Sequence, residues 1–89
     1  MSFVNIGYGN VVNSEKVYSI VSPDAAPVKR MIQNAKDNGN AIDGTCGRKT
    51  KAVLVMDNHT IVLSSLLPET IAARMNSEED RKFAKGDWT

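Results

Sequence analysis

The chain reads as a small α+β domain, a small antiparallel β-sheet with one amphipathic helix and a short C-terminal helix. Three observations carry that reading. Runs rich in β-branched and aromatic residues recur at short intervals, separated by Gly, Asn, Asp and Ser, which is the pattern of strands joined by turns. One stretch has helical period, with Val28, Met31, Ile32 and Ala35 at i, i+3, i+4 and i+7. Finally, Ala52 to Met56 is apolar on both alternating faces, so a strand there wants cover on two sides.

Taken in order, Phe3 to Ile6 is a short strand, and Gly7-Tyr8-Gly9-Asn10 supplies residues that tolerate positive φ in a tight reversal before Val11-Val12 resumes an extended run. The G-x-G is preferred as a turn over a nucleotide loop, because no helix follows it and the third glycine is missing. Asn13 to Lys16 is a polar kink, and Val17 to Val21 is a strand by its β-branched and aromatic content. Ser22 to Pro27 provides a polar cap candidate and a first-turn proline. The helix that follows turns Lys29, Arg30, Gln33 and Lys36 away from its apolar stripe, and Asn38-Gly39 ends it with a left-handed cap.

Ala41 to Cys46 and Lys51 to Met56 are expected to be the two arms of a hairpin that carries Arg48 and Lys49 at its tip and Lys51 at its base. Thr60 to Leu63 forms the next strand after a turn at Asp57-Asn58-His59, and Pro68 to Met75 forms the short helix. One good helix and one short one are thin cover for a two-sided sheet, so a homo-oligomer is expected. Residues 1–75 make the domain. Residues 76–89 are a charged tail, with acids early and bases late as in a helix, expected to be frayed or disordered with Trp88 as an anchor candidate.

Composition excludes several classes. Eighty-nine residues make one domain, with a marginal core that buries about 60 to 65 per cent of the unfolded surface. One cysteine, Cys46, precludes an internal disulfide, and with one histidine, His59, no zinc-type ligand set exists. Met1 to Asn5 lacks a basic region followed by an apolar one, so a cytoplasmic location is expected. No membrane span, cofactor, metal or small-molecule substrate is inferred.

Nor is catalysis expected. In the expected hairpin Cys46 lies at the tip and His59 beyond the other end, roughly 20 Å away, too far to act together. Cys46 then reads as a mostly buried strand residue and His59 as a turn residue.

The net charge of +1 gives no nucleic-acid signal by itself, so an electrostatic argument rests on local clustering. Arg48, Lys49 and Lys51 are such a cluster, and their nearest acids in sequence are Asp43 and Asp57. Closely set Arg and Lys on a projecting turn suit phosphate oxygens, although solvation alone also explains a charged loop. Lys16, at the mouth of a strand, reads locally as a surface lysine, whereas Lys29 and Arg30, on the outer helix face, are further candidates for phosphate or a partner with the same plain alternative.

Several segments together resemble one family: Asn5-Ile6-Gly7-Tyr8-Gly9-Asn10, Ser19-Ile20-Val21-Ser22-Pro23, Ala26 to Gln33, Ile42-Asp43-Gly44-Thr45 with Gly47-Arg48, and Pro68-Glu69-Thr70. They are similar to the RemA family, extracellular matrix regulatory protein A, across most of residues 3–75 in unbroken order.

The resemblance implies a DNA-binding transcriptional regulator, an activator of biofilm matrix operons with links to osmoprotection genes. It also implies a LytTR-like subunit in a ring-shaped homo-oligomer that binds repeated sites on double-stranded DNA, and so a cytoplasmic, nucleoid-associated protein. The family's arginines important for DNA binding fall on Lys16, Arg48 and Lys49. Two of these are lysine here, which keeps charge for phosphate but loses the planar fork that reads guanine. The alternative is a structural oligomeric protein-interaction module without nucleic-acid binding. An RNA reading is disfavoured because the basic loop has no aromatic residue for base stacking.

Overall fold

The structure is a computed structural model that describes residues 2–76. It opens with a hairpin in which β1 (Phe3–Gly7) pairs antiparallel with β2 (Asn10–Asn13), setting Val4 opposite Val12. The expected reversal at Gly7-Tyr8-Gly9 is present, with all three residues at positive φ. A single 3-10 turn over Ser14–Lys16 leads into β3 (Val17–Val21). Then come α1 (Ala26–Asp37), β4 (Ala41–Asp43), β5 (Ala52–Met56), β6 (Ile61–Ser64) and α2 (68–76). The tail is expected over residues 76–89; Asn76 closes α2, and the rest of that reading, Trp88 included, lies outside the described residues.

The second sheet has the order β3-β5-β6-β4. β5 pairs antiparallel with β3 on one side and β6 on the other, while β4 pairs parallel with β6. The sheet is therefore mixed, not antiparallel throughout. The expected hairpin of residues 41–46 against 51–56 does not form: β4 stops at Asp43, and β6 lies between it and β5. The physical reason is competition for edges. Both edges of β5 are taken, by a β3 strand too far away in sequence for local patterning to reveal and by β6 through the short turn at Asp57-Asn58-His59. That β5–β6 turn was legible, and His59 sits in it at φ 68°, donating its backbone N–H to the Met56 carbonyl at 3.2 Å.

α1 forms where the periodicity placed it. The polar cap expected within Ser22 to Pro27 is not made, since the Ser22 hydroxyl is engaged with Asp24 and the residue preceding the helix is Ala25, which makes no side-chain cap bond. The other end closes as expected. Gly39 at φ 73° donates to the Lys36 carbonyl and Asn40 to the Ala35 carbonyl, the paired bonds of a Schellman motif.

Two cores lie on the two faces of this sheet. On one, Val53, Ile61 and Leu63 pack with Ala35 and the rest of the α1 stripe, Val28, Met31 and Ile32. On the other, Ala52, Leu54 and Val62 pack with Val4 and Ile6 of the hairpin and Ile71 of α2. The two-sided burial expected of Ala52 to Met56 is met within one chain for Ala52, Val53 and Leu54, with Val55 and Met56 half-buried, because the β1–β2 hairpin supplies cover that two helices alone would lack. Large apolar side chains also remain exposed elsewhere, Phe3, Tyr8 and Val11 on the hairpin and Leu67 before α2 among them. A register irregularity between Val17 and Ser19 leaves Tyr18 81% exposed on β3, and Ile42 on β4 is 56% exposed. No helix of the described residues is long and apolar enough to cross a membrane.

Ile71 is fully buried against the hairpin-side core, so α2 is part of the cooperative unit. Ile71→Ala is expected to cost about 2–5 kcal/mol in urea unfolding. A loss of less than about 0.5 kcal/mol, the size of an ordinary surface change, would show that α2 is not docked in solution.

Candidate functional site

The basic loop, residues 44–51, carries the chain from β4 to β5 across the end of β6 and is fastened on both sides of it. Gly44 donates its N–H to the Leu63 carbonyl at 2.9 Å and Lys51 donates to the Ser64 carbonyl at 2.8 Å. Gly44 has no room for a side chain, because a Cβ there would lie 3.0 Å from the Leu63 oxygen and 3.3 Å from Asn10 Nδ2. Inside the loop Thr45 is 2% exposed, and the Asp43 carboxylate accepts from both its N–H and its hydroxyl. A tight turn follows. Arg48 donates its N–H to the Thr45 carbonyl at 3.0 Å, and the two central residues, Cys46 and Gly47, have φ of 54° and 80°, the signature of a type I′ turn. The turn that the sequence signalled is thus real, although the strands it was expected to join are not partners.

Cys46 accordingly lies at the exposed tip of this turn and not in a buried strand position. His59 is in the turn at the opposite end of β5, a strand whose five residues span about 16 Å, so no cysteine–histidine pair is assembled within the chain. Among the described residues no group of three or more His, Cys, Asp or Glu side chains could hold a metal ion.

The structure separates the candidate cations. Arg48 lies over the ring of Tyr8, its guanidinium carbon 5.5 Å from the ring centre, within cation–π range. Lys49 and Lys51 line a different depression together with Asp24 and Glu69, two acids that nearness in sequence does not reveal. Those carboxylates reduce the positive potential around the lysines. Lys16 is not at this end of the molecule. It precedes Val17, which pairs with Met56, whereas Arg48 precedes the opposite end of β5. Its ammonium lies 3.7 Å from the Asp57 carboxylate, in an ion pair whose side chains are 61% and 50% exposed, and it is therefore weakly held. Lys29 and Arg30 are exposed on α1, over the sheet face that the hairpin does not cover. Arg30 shares a cavity of about 400 Å³ with His59, Asn34 and Asn38.

Tyr8 is the functional candidate that sequence reasoning missed. The objection to RNA, that the loop has no aromatic residue, held for the loop and fails for the site, since Tyr8 arrives from the β1–β2 turn forty residues earlier. Two ties bring that turn close. Asn10 Nδ2 donates to the Gly7 carbonyl at 3.0 Å and to the Gly44 carbonyl at 3.3 Å, and the buried Ser64 hydroxyl donates to the Ile6 carbonyl at 2.8 Å. The available signal was an aromatic residue flanked by two glycines, which a hairpin tip exposes.

The profile of a family described as "RemA-like: Extracellular matrix regulatory protein A-like" matches residues 3–75. A "Putative regulatory protein" of Lachnoclostridium phytofermentans is 64% identical over 76 residues, covering 85% of this chain and 84% of that protein. Proteins given the same description in Geobacillus kaustophilus and Bacillus cytotoxicus are 50% and 52% identical over 80 residues, with 90% of this chain and 92% of each relative covered.

The bonds from Thr45, hydroxyl first and then N–H, hold the Asp43 carboxyl below its ordinary value of 3.8; slight burial opposes this, and Lys36 adds a smaller pull in the same direction. A depressed folded value means that the stabilisation is fully present above the unfolded pKa and is lost as pH falls through the folded one. Asp43→Ala is expected to cost about 0.5–1.5 kcal/mol at neutral pH, modest because the carboxylate is exposed. Thermal melts across a pH series are expected to show the gap from wild type narrowing as pH falls below the ordinary carboxyl value of 3.8 and through the lowered folded one. A gap that stays constant to the acid end would assign the loss to packing.

Proposed function

The chain belongs to the RemA-like family of extracellular matrix regulatory protein A-like proteins, and from that premise we propose that it is a DNA-binding transcriptional regulator acting as a homo-oligomer. In this reading it activates matrix and osmoprotection genes at the nucleoid, by binding repeated sites on double-stranded DNA. The observation that carries the proposal is the fastened basic loop. Arg48 is exposed on a turn anchored through Gly44, Thr45 and Lys51, and among the described residues no carboxylate pairs with it. A loop held this way presents charge without the entropic cost of ordering it on binding.

Arg48, Lys49 and Lys51 act together at one end of the subunit, and Lys16, at the other end, contacts a separate stretch of phosphate backbone. The acids beside Lys49 and Lys51 leave each subunit a weak binder. Affinity then depends on several copies engaging one duplex, where effective concentration multiplies weak contacts. Exposed Tyr18 on β3 and Ile42 on β4, at opposite edges of the sheet, support assembly by a head-to-tail contact, the type that closes into a ring. The same exposed apolar residues favour the second reading, an oligomeric protein-interaction module, which predicts no duplex binding at moderate salt.

Fluorescence anisotropy on a long duplex across a salt series tests the proposal. Wild type is expected to lose affinity steeply with salt, and Arg48→Ala to bind more weakly with a shallower slope. The double charge reversal R48E/K49E is expected to abolish binding without changing the sedimentation mass. Retained binding in that variant would remove the loop from the interface. Ile42→Lys is expected to shift the sedimentation mass toward the monomer and to weaken DNA binding by about 100-fold or more through lost multivalency. Single-stranded RNA that outcompetes the duplex would move the assignment to RNA.

A further inference from the structure

We propose that Tyr8 is a positioning residue for Arg48, and that this pair, not the neighbouring lysines, gives the protein its base discrimination. The inference rests on the DNA-binding reading and adds to it which side chain reads sequence. A lysine ammonium is a mobile point charge on a flexible stem, suited to phosphate, whereas the planar guanidinium can form two parallel bonds to one guanine edge. That advantage depends on orientation. A guanidinium resting on an aromatic face is held by the ring while its N–H groups stay free at its edges.

The pair is supported on both sides. Tyr8 occupies a left-handed conformation at φ 54°, uncommon for a bulky residue, between Gly7 and Gly9 at φ 106° and 79°. The residue is 52% exposed, so full burial in the core does not account for that backbone cost. Asn10 bonds to the carbonyls of Gly7 and Gly44 and so sets the spacing between the hairpin turn and the basic loop. Arg48 is in turn placed by its backbone bond to buried Thr45. Lys49 and Lys51 have no aromatic partner among the described residues and share their surroundings with Asp24 and Glu69.

The test is enrichment from a duplex pool of randomised sequence, read by sequencing the retained DNA, for wild type, Tyr8→Leu, Tyr8→Phe and Arg48→Lys, each with its thermal midpoint. Wild type is expected to enrich a motif containing a guanine. Tyr8→Leu and Arg48→Lys are both expected to lose preference at that same guanine by about tenfold while retaining the bulk of their affinity for the unselected pool. Tyr8→Phe, which keeps the ring face, is expected to enrich the wild-type motif, a rescue that a loss of folding in Tyr8→Leu would not mimic. An unchanged motif in Tyr8→Leu overturns the inference. So does an equal loss across all sequences, which would place Arg48 on phosphate only. Wild type that retains no duplex would instead overturn the DNA-binding reading itself.

Discussion

The structure depends on the two-sided burial of β5. Val53 and Leu54 are adjacent, point to opposite faces, and are both fully buried. A strand of that kind sits only in the middle of a sheet with a layer on each side, and a chain of 89 residues has little material for two layers. α1 makes one layer with a single apolar stripe. The other layer is assembled from the β1–β2 hairpin and α2, neither of which is large enough to cover the face alone.

That arrangement positions the basic loop as a by-product of burial. Once β5 and β6 occupy the centre, β4 is left at the edge beyond β6, and the chain must pass over the end of β6 to return to β5. The crossing is held by backbone bonds to Leu63 and Ser64, and Ser64 also bonds to the hairpin layer through Ile6. One strand end thus joins the sheet, the covering hairpin and the loop, and the contact between Tyr8 and Arg48 is a consequence of that junction.

The same geometry distributes the charge. Sequence neighbours made Arg48, Lys49 and Lys51 look like one patch with few acids nearby. In three dimensions the start of α2 and the segment before α1 bring Glu69 and Asp24 to the lysines, and the hairpin brings an aromatic ring to the arginine. Three cations of similar appearance therefore have different surroundings. Lys16, grouped with them by family resemblance, belongs to the far end of the sheet, so a single subunit does not present all four cations together.

The amino-acid sequence by itself determined the features that arise within a few residues. α1 and its glycine cap, the Gly7–Gly9 reversal, the β5–β6 turn, the two-faced character of β5 and the tight turn beneath Arg48 all follow from side-chain period and φ preference, which are local properties. Family membership was legible too, because ordered motifs across residues 3–75 carry more information than any one of them. Tertiary structure alone decided which strand pairs with which. Local pattern states that a strand wants neighbours and does not say which ones, so the expected pairing of residues 41–46 with 51–56 gave way to the parallel pairing of β4 with β6. Cys46 became exposed and Tyr8 became a neighbour of Arg48 for the same reason: contacts between distant segments are set by the competition among apolar faces for a shared core, and that competition is settled only when the whole chain is packed.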